Sequence, residues 1–162
     1  AEPSFDVHTI EELHSPDWRE VDTFEWEINS IIQETGENAA DIAHFVTVHS
    51  SPEMPQGVVT MDGHTRCTLM DSKQEAMDEF GNIDRSGESY DEGRLEACFT
   101  LPKKQSEEHT LYANAFRDEI VHQVNQDIPI WENKVYLEEP TLCDGDGPIA
   151  KYRKWFKQFY VA

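Results

Sequence analysis

The stretch FRDEIVHQVNQDIPIW, residues 116–131, has the spacing of an amphipathic helix. Apolar side chains recur at steps of three and four, the period of one helix face, and a carboxylate falls among them: Phe116, Ile120, Val124, Asp127, Trp131. We predict a long helix from about Thr110, kinked by Pro129 one turn beyond Asp127. An ionised carboxylate is costly to bury without a cation or donor, so Asp127 needs a partner.

The segments before this helix have the patterns of strands. GVVTMDGHTRCTLM, residues 57–70, predicts a hairpin whose turn is Asp62-Gly63. The apolar residues of VDTFEWEINSI (21–31) alternate with polar ones, which predicts a half-buried strand, and GRLEACFTL (93–101) predicts one more. A short helix is expected from Pro148. The fold class is therefore α+β, a long helix packed on an antiparallel sheet.

Length and composition bound the class of protein. The chain has 162 residues, which favours one domain over 1–162, with 1–20 as a polar arm and 71–93 as a surface excursion rich in Asp, Glu, Gly and Ser. It begins without Met, as a processed or truncated chain does. Three well-separated cysteines with no Cys-x-x-Cys pair favour free thiols over a disulfide framework.

The charge balance excludes some partners. Thirteen Lys and Arg against 33 Asp and Glu give a net charge of −20, which repels nucleic acid and anionic lipid. No run approaches the roughly 20 apolar residues of a membrane span, and no signal peptide is visible, so we expect a cytoplasmic protein.

A second polar group interrupts an apolar stretch in ENAADIAHFVTVH, residues 37–49. Residues 33–45 are predicted to be helical. Positions five apart on an ideal helix differ by about 140° in direction, so His44 and His49 can share one ion only if the helix ends between them, near Phe45. Together with Asp127 they form a two-histidine, one-carboxylate set. A pair of core histidines bonded to backbone is the alternative.

At these residues the chain resembles a known family. ENAADIAHFVTVH is similar to the iron-binding segment of the catalytic domain of Rieske-type non-haem iron oxygenases. Residues 126–160, from QDIPIW to FKQFY, are similar to the C-terminal segment of a subgroup that includes the 3-ketosteroid 9α-hydroxylase oxygenase and the cholesterol 7-desaturases. The resemblance implies a helix-grip, START-like fold, here with a reduced sheet, and an apolar cavity for a steroid-like substrate.

The resemblance also implies roles for individual residues. It makes His44, His49 and Asp127 the ligands of a mononuclear Fe(II). Asp41 matches the aspartate that links this iron to the Rieske cluster of a neighbouring subunit in a homotrimer. Asn38 falls where a polar residue lies near the iron in some members.

Residues around the ligands are candidates for orienting them. The Asp41 carboxylate, three residues before His44, is expected to accept its ring N–H. Asn125 and Gln126 are expected to hold Asp127 in place.

One part of the family pattern is missing from the sequence. A 2Fe-2S Rieske cluster needs a Cys-x-His and a later Cys-x-x-His, and no cysteine here stands in either arrangement. We therefore expect the electrons to come from a separate Rieske or ferredoxin-type donor. A fragment, a stand-alone catalytic domain and a relative without redox function all remain open.

Three functions are compatible with these residues. The leading hypothesis is an oxygenase domain that hydroxylates or desaturates a hydrophobic, steroid-like substrate with O2. The alternatives are a non-catalytic module that binds an apolar ligand, and a zinc hydrolase with the same ligands. The basic cluster near the C-terminus either docks an acidic redox partner or complements the chain's own negative surface: Lys151, Arg153, Lys154, Lys157.

Overall fold

The computed structural model describes residues 22–75, 90–96 and 107–160, with isolated positions 5, 6, 9, 14 and 16 before them. These residues form four α-helices and three strands. In chain order the elements are α1 (Ile32–Asn38), α2 (His44–Thr47), β1 (Gln56–Asp62), β2 (Thr65–Glu75), β3 (Tyr90–Glu96), α3 (Glu107–Asn133) and α4 (Ile149–Phe156), and a 3-10 turn, Lys157–Phe159, follows α4. The fold class is α+β, as predicted.

The described sheet is antiparallel, in the order β1-β2-β3. The predicted hairpin is confirmed, but Asp62 pairs with Thr65, so the turn lies one residue later than Asp62-Gly63. Gly63 has a φ of 52°, the left-handed conformation that a tight hairpin turn requires at its first position and that glycine adopts without strain.

The segment 71–93, predicted as a surface excursion, is a strand at both of its ends. Its first residues, 71–75, complete β2, and its last, 90–93, begin β3, with Asp71 opposite Arg94. The part between them, 76–89, lies outside the described residues, as do residues 97–101 of the strand predicted over 93–101.

The strand predicted over 21–31 is wrong for its described part. Residues 22–30 form no strand but follow α3 as an extended segment. Arg117 donates to Asp22 (2.6 Å), the Trp26 indole to Asn125 (3.1 Å), and the Asn29 amide to Glu132 (3.1 Å). The seven steps from Asp22 to Asn29 in an extended chain and the fifteen steps from Arg117 to Glu132 in a helix both span about 22–23 Å. The three contacts therefore fit one extended segment that runs along α3.

This extended geometry explains the misleading sequence pattern. Alternate residues of any extended segment point the same way, and the Phe24 and Trp26 rings stack at 6.0 Å although no strand lies beside them in the part of the chain that the structure describes. The alternation of apolar and polar residues therefore indicated an extended backbone, but it did not show what the segment packs against.

The two predicted C-terminal helices are confirmed. The long helix α3 begins at Glu107, slightly before the predicted start, and continues through Pro129 to Asn133. Of its five predicted face residues only Asp127 is fully buried. The short helix α4 follows Pro148 directly.

The helix predicted over 33–45 is divided in two. The helix α1 ends at Asn38 and α2 begins at His44, so residues 39–43 are not helical. In this turn the amides of Ala40 and Asp41 bond back to the Glu37 carbonyl at 2.8 and 3.1 Å.

A buried ionic cluster joins α1 to α4 and to the residue after α3. The Arg153 guanidinium makes two hydrogen bonds to the Glu37 carboxylate, at 2.5 and 2.8 Å. Lys134 pairs with Glu37 at 3.0 Å and with Glu34 at 2.5 Å. Arg153 is thus an interior cation rather than a member of a surface basic cluster, since it is only 8% exposed. The three lysines around it are exposed.

Close packing accompanies these ion pairs. A Cβ at Gly36 would lie 2.2 Å from the Tyr152 hydroxyl oxygen, so any other residue where α1 meets α4 would displace the Tyr152 ring. The Tyr152 hydroxyl donates to the Gln33 carbonyl (3.2 Å). The hairpin joins the same assembly because the Trp155 indole donates to Gly63 (2.8 Å) and Arg66 donates to the Gly36 carbonyl.

Within the described ranges, no helix is both long enough and apolar enough to cross a membrane. The wrapping of a sheet around α3 that defines a helix-grip fold remains a prediction.

The ionic cluster predicts how stability changes when Glu37 is neutralised. Glu37→Gln leaves the Arg153 cation without its buried counter-ion, and we expect the free energy of unfolding to fall by about 3–5 kcal/mol at neutral pH. Urea denaturation measures the difference. The exposed-site change Glu25→Gln is the control, and equal stability of the two variants contradicts the assignment.

The lowered pKa of Glu37 predicts how the effect of Glu37→Gln on stability changes with pH. Burial opposes the Glu37 charge, but bonds to Arg153 and Lys134 outweigh it and hold the pKa of Glu37 below its ordinary 4.5. Its contribution is therefore complete above pH 4.5 and is lost as the pH falls through the lower folded pKa. The stability gap between the wild-type chain and Glu37→Gln should narrow there in urea denaturation at a series of pH values, and a constant gap contradicts the expectation.

Candidate metal centre

Three side chains from distant parts of the chain meet in the protein interior. One ligand atom from each of His44, His49 and Asp127 lies within 4.8 Å of the other two. His44 and Asp127 are 7% and 4% exposed, and the His49 side chain is 3% exposed. The structure therefore brings together the three residues that the sequence predicted as metal ligands.

The end of α2 brings the two histidines to one point. His44 is the first residue of α2, and the helix ends at Thr47, so His49 is outside it. This confirms a helix end between them, two residues later than the predicted Phe45. Ser50 then takes a left-handed φ of 58°, and the Ser51 amide donates to the Phe45 carbonyl at 2.8 Å. The chain thus reverses directly after His49, and the ring centroids of His44 and His49 are 4.9 Å apart.

His44 is oriented by a backbone group. Its Nδ1 donates to the carbonyl oxygen of Asp41, not to the carboxylate that the sequence predicted. The prediction is wrong because it placed both residues on one helix face, whereas the helix begins only at His44. A carbonyl can only accept, so the proton lies on Nδ1 and the lone pair of neutral His44 is on Nε2.

The Asp41 carboxylate is left in an unusual environment. Its Oδ1 is buried and has no hydrogen-bond partner among the described residues. Burial raises the pKa of Asp41, although the neighbouring His44 acts in the opposite direction. An unpartnered buried carboxylate oxygen favours a donor from outside the described part of the chain.

Asn38 lies between two of the ligands. Its Nδ2 donates to Asp127 Oδ2 at 2.8 Å and lies 3.2 Å from His44 Nε2. The amide thereby occupies one carboxylate oxygen of Asp127 and leaves Oδ1 turned toward His49, 3.4 Å from its Nε2. The position predicted for Asn38, beside the ligands, agrees with this geometry.

Asn125 and Gln126, the two polar residues before Asp127, contact other partners than predicted. Gln126 Oε1 is 2.9 Å from His49 Nδ1, and Asn125 accepts from Trp26. Neighbouring positions on a helix point about 100° apart, so neither side chain shares the direction of Asp127. The sequence carries no signal for the Gln126 contact, because that depends on where the turn after α2 places His49.

The two histidines have opposite pKa shifts. Burial lowers the pKa of His44, and the hydrogen bond to the Asp41 carbonyl and the proximity of Asp127 offset this only in part. Burial also opposes the charge on His49, but its contacts with Asp127 and Gln126 outweigh burial and raise its pKa. Positive charge is therefore favoured between His49 Nε2 and Asp127 Oδ1, where a proton or a metal ion can supply it.

The donor set fits a divalent transition metal. Two imidazole nitrogens and one carboxylate oxygen match the face that holds non-haem Fe(II), and the same set also binds Zn²⁺. Metal–ligand bonds of about 2.0–2.2 Å place ligand atoms about 3.0–3.5 Å apart. The His49–Asp127 separation of 3.4 Å is within that range. The ligand atoms of all three residues lie within 4.8 Å of one another. The most distant of them would have to approach by about 1 Å or more to bind one ion.

Fold and site together define an α+β protein with a buried candidate site for one metal ion. The chain belongs to the 3-ketosteroid 9alpha-hydroxylase C-terminal domain family, whose model matches residues 1–99 and 94–160. At the level of the family this confirms the resemblance to the C-terminal domain of Rieske-type oxygenases.

Curated relatives match shorter stretches. A 3-ketosteroid-9-alpha-monooxygenase oxygenase component from Rhodococcus rhodochrous is 45% identical over 49 residues, 30% of this chain and 12% of the relative. A cholesterol 7-desaturase from Caenorhabditis elegans is 51% identical over 39 residues, 24% of this chain and 9% of the relative. A further 3-ketosteroid-9-alpha-monooxygenase oxygenase component, from Mycobacterium tuberculosis, is 36% identical over 61 residues, 37% of this chain and 16% of the relative. The matches thus span a small part of each relative.

The left-handed conformation of Ser50 predicts a contrast between two substitutions. Glycine adopts this φ without strain, whereas a β-branched side chain does not. We expect Ser50→Gly to leave the free energy of unfolding within about 1 kcal/mol of the wild type, and Ser50→Val to lower it by about 1–2 kcal/mol. Chemical denaturation of the pair gives the comparison. A valine variant as stable as the glycine variant contradicts the assigned turn.

Proposed function

We propose that this chain is the catalytic domain of a mononuclear non-haem iron oxygenase acting on a steroid-like substrate. The observation that carries the proposal is the convergence of His44, His49 and Asp127 in a buried position. Membership of the 3-ketosteroid 9alpha-hydroxylase C-terminal domain family supports it. Two sets of relatives carry names that refer to a 3-ketosteroid and to cholesterol, which favours a polycyclic, hydrophobic substrate.

The three ligands would hold the metal, and their neighbours set the direction of each donor. Fe(II) bound by this set would supply open coordination positions for the activation of oxygen. The Asp41 carbonyl fixes the His44 ring, while the Asn38 amide holds one oxygen of Asp127 and leaves the other for the ion. Burial of all three ligands limits the access of bulk water, which strengthens the electrostatic interactions within the site.

The proposed reaction requires an electron donor. In hydroxylation one oxygen atom of O2 enters the substrate and the other leaves as water, with two electrons and two protons supplied. In desaturation the substrate loses two hydrogens, and with two further electrons and two protons supplied both oxygen atoms leave as water. We propose a separate Rieske or ferredoxin-type donor that delivers electrons at Asp41, whose buried Oδ1 lacks a partner among the described residues. We also propose that the chain forms a homotrimer, which brings the donor to Asp41, and that residues 1–162 form a single domain.

The proposal predicts which substitutions abolish metal binding. We expect His44→Ala, His49→Ala and Asp127→Asn each to weaken Fe(II) binding by at least about 100-fold, since each removes a direct ligand. Anaerobic titration with Fe(II) measures the affinity, and His122→Ala, an exposed histidine on α3, is the control. Wild-type affinity in any of the three ligand variants, or a loss in the control, contradicts the ligand set.

A turnover experiment distinguishes the oxygenase from the two alternative functions, a module that binds an apolar ligand and a zinc hydrolase. The iron-loaded chain is incubated with a 3-ketosteroid or cholesterol, O2, a reductase and a Rieske protein, and the products are analysed by mass spectrometry. An oxygenated or desaturated steroid that requires both iron and electrons supports the proposal. A co-purified lipid without turnover supports the binding module. Bound zinc with hydrolysis of an ester and no dependence on O2 supports the hydrolase.

A further inference from the structure

The outer face of α4 and of the 3-10 turn after it carries three lysines. Lys151, Lys154 and Lys157 recur every three residues, and all three are exposed. On the opposite face of the helix, Ile149 and Tyr152 are buried. Residues three apart on a helix are surface neighbours, so the lysines form one positive stripe about 9 Å long, which we call the lysine stripe.

The lysine stripe has no ionic partner in the part of the chain that the structure describes. Three other cations there each pair with a carboxylate: Arg117 with Asp22, and Lys134 and Arg153 with Glu37. No described carboxylate forms an ion pair with a lysine of the stripe. The alternative that these lysines complement the chain's own negative surface therefore has no ion pair to support it in this part of the molecule.

The stability of α4 does not explain the stripe either. Lys154 has a like charge one turn away on each side, and neighbouring like charges destabilise a helix. Lys151 is the third residue of α4, in the first turn, where the helix dipole disfavours a positive charge. Only the two lysines nearer the end of the helix gain from the dipole. Lys151 in particular lacks a stabilising role within its own helix.

The position of α4 connects the stripe to the candidate site. A Cβ at Gly147 would lie 2.5 Å from the Ala40 carbonyl oxygen and 3.6 Å from Cγ1 of Ile42. These two residues flank Asp41, where the proposed function has electrons enter. The helix begins two residues after Gly147, and Lys151 is in its first turn. The lysine stripe thus starts close to the turn that carries Asp41.

The charge of the rest of the chain makes this surface selective. The net charge is −20, so an acidic protein is repelled by the chain as a whole and attracted where positive charge is locally in excess. Exposed carboxylates precede α4 at Glu138, Glu139 and Asp144. Screening limits electrostatic interactions to about 8–10 Å at physiological ionic strength, so a partner seated on the stripe responds mainly to the stripe. Electron-transfer partners use small, transient interfaces, which a surface of this size can orient.

We propose that the lysine stripe is the surface on which the electron donor docks, and that this donor presents a carboxylate-rich face to it. The inference rests on the proposed function, which requires such a donor. A second copy of this chain is acidic as well, but the position of the stripe beside the turn of Asp41 favours the donor, whose electrons have to reach that turn. The stripe raises the rate of encounter and directs the donor to this side of the molecule.

The test uses the whole chain and a strongly acidic plant-type [2Fe-2S] ferredoxin as the probe. One variant replaces the three lysines of the stripe with Gln, and a matched variant replaces them with Arg and keeps the charge. A second control lowers the net charge by the same three units at exposed positions on other parts of the chain: Thr23→Glu, Gln56→Glu, His122→Glu. Circular dichroism checks folding. If the triple Gln variant does not fold, Lys151→Gln alone carries the test.

Isothermal titration calorimetry at low ionic strength measures the affinity for the ferredoxin. We expect the triple Gln variant to bind about tenfold more weakly than the wild type or worse, and the Arg variant and the second control to stay within about threefold of it. Added salt should weaken wild-type binding. In 15N NMR the amide signals of 150–158 and of the turn 39–43 should shift on addition of ferredoxin. The affinity for Fe(II) should be the same in all four chains.

The outcomes separate this inference from the proposed function. A wild-type chain that does not bind the ferredoxin at low ionic strength, or a triple Gln variant that binds it as tightly as the second control, overturns the docking surface and leaves the metal site intact. A wild-type chain that self-associates in analytical ultracentrifugation, while the triple Gln variant does not, replaces the donor by a second copy. A chain that binds the ferredoxin as expected but binds no Fe(II) overturns the proposed function and, with it, the partner's role as an electron donor.

Discussion

The ion pair between Glu37 and Arg153 is the contact on which the arrangement of the site depends. It lies in the interior, with the two residues 2% and 8% exposed. Two charges in such a place are tolerated only with close, well-oriented partners. Arg153 supplies two hydrogen bonds to one carboxylate, and Lys134 with Glu34 completes a cluster of two positive and two negative side chains. The cluster is neutral as a whole, so its burial leaves no net charge without compensation.

This cluster links the parts of the chain that carry the site. Glu37 immediately precedes Asn38, which bonds to Asp127, and Lys134 follows the last residue of α3, on which Asp127 lies. Gly147, just before α4, packs against the turn that follows α1. A Cβ at Gly147 would lie 2.5 Å from the Ala40 carbonyl oxygen. Gly147 also has a φ of 64°, so the approach to α4 requires glycine for two reasons. The position of the turn before His44 is thereby tied to α3 and α4 together.

The sequence predicted the elements with strong local signals. The Asp62-Gly63 pair located the hairpin to within one residue, and the spacing of apolar residues located α3. A carboxylate on that apolar face, with two histidines too far apart for one helix face, predicted that the three side chains meet and that a helix ends between the histidines. These inferences succeeded because each depends on local backbone geometry or on the cost of burying charge.

Predictions that depended on tertiary contacts were less successful. The alternation around Trp26 could not show that the segment follows a helix instead of a strand. Arg153 stands among exposed lysines in the sequence, and its inward direction follows only from the position of Glu37. The partner of His49 is Gln126, 77 residues away on α3, and no local signal connects the two. In each case the deciding neighbour is distant in sequence.

The central claim is that His44 and His49 bind one iron together with Asp127. The most direct measurement is electron spin echo modulation on the nitric oxide adduct of the Fe(II)-loaded chain, which detects the nitrogen nuclei of bound imidazoles. The wild-type chain should show two imidazole nitrogens, and His44→Ala and His49→Ala should each show no more than one. A wild-type adduct with one imidazole or none, or a histidine variant that retains two, would contradict the claim.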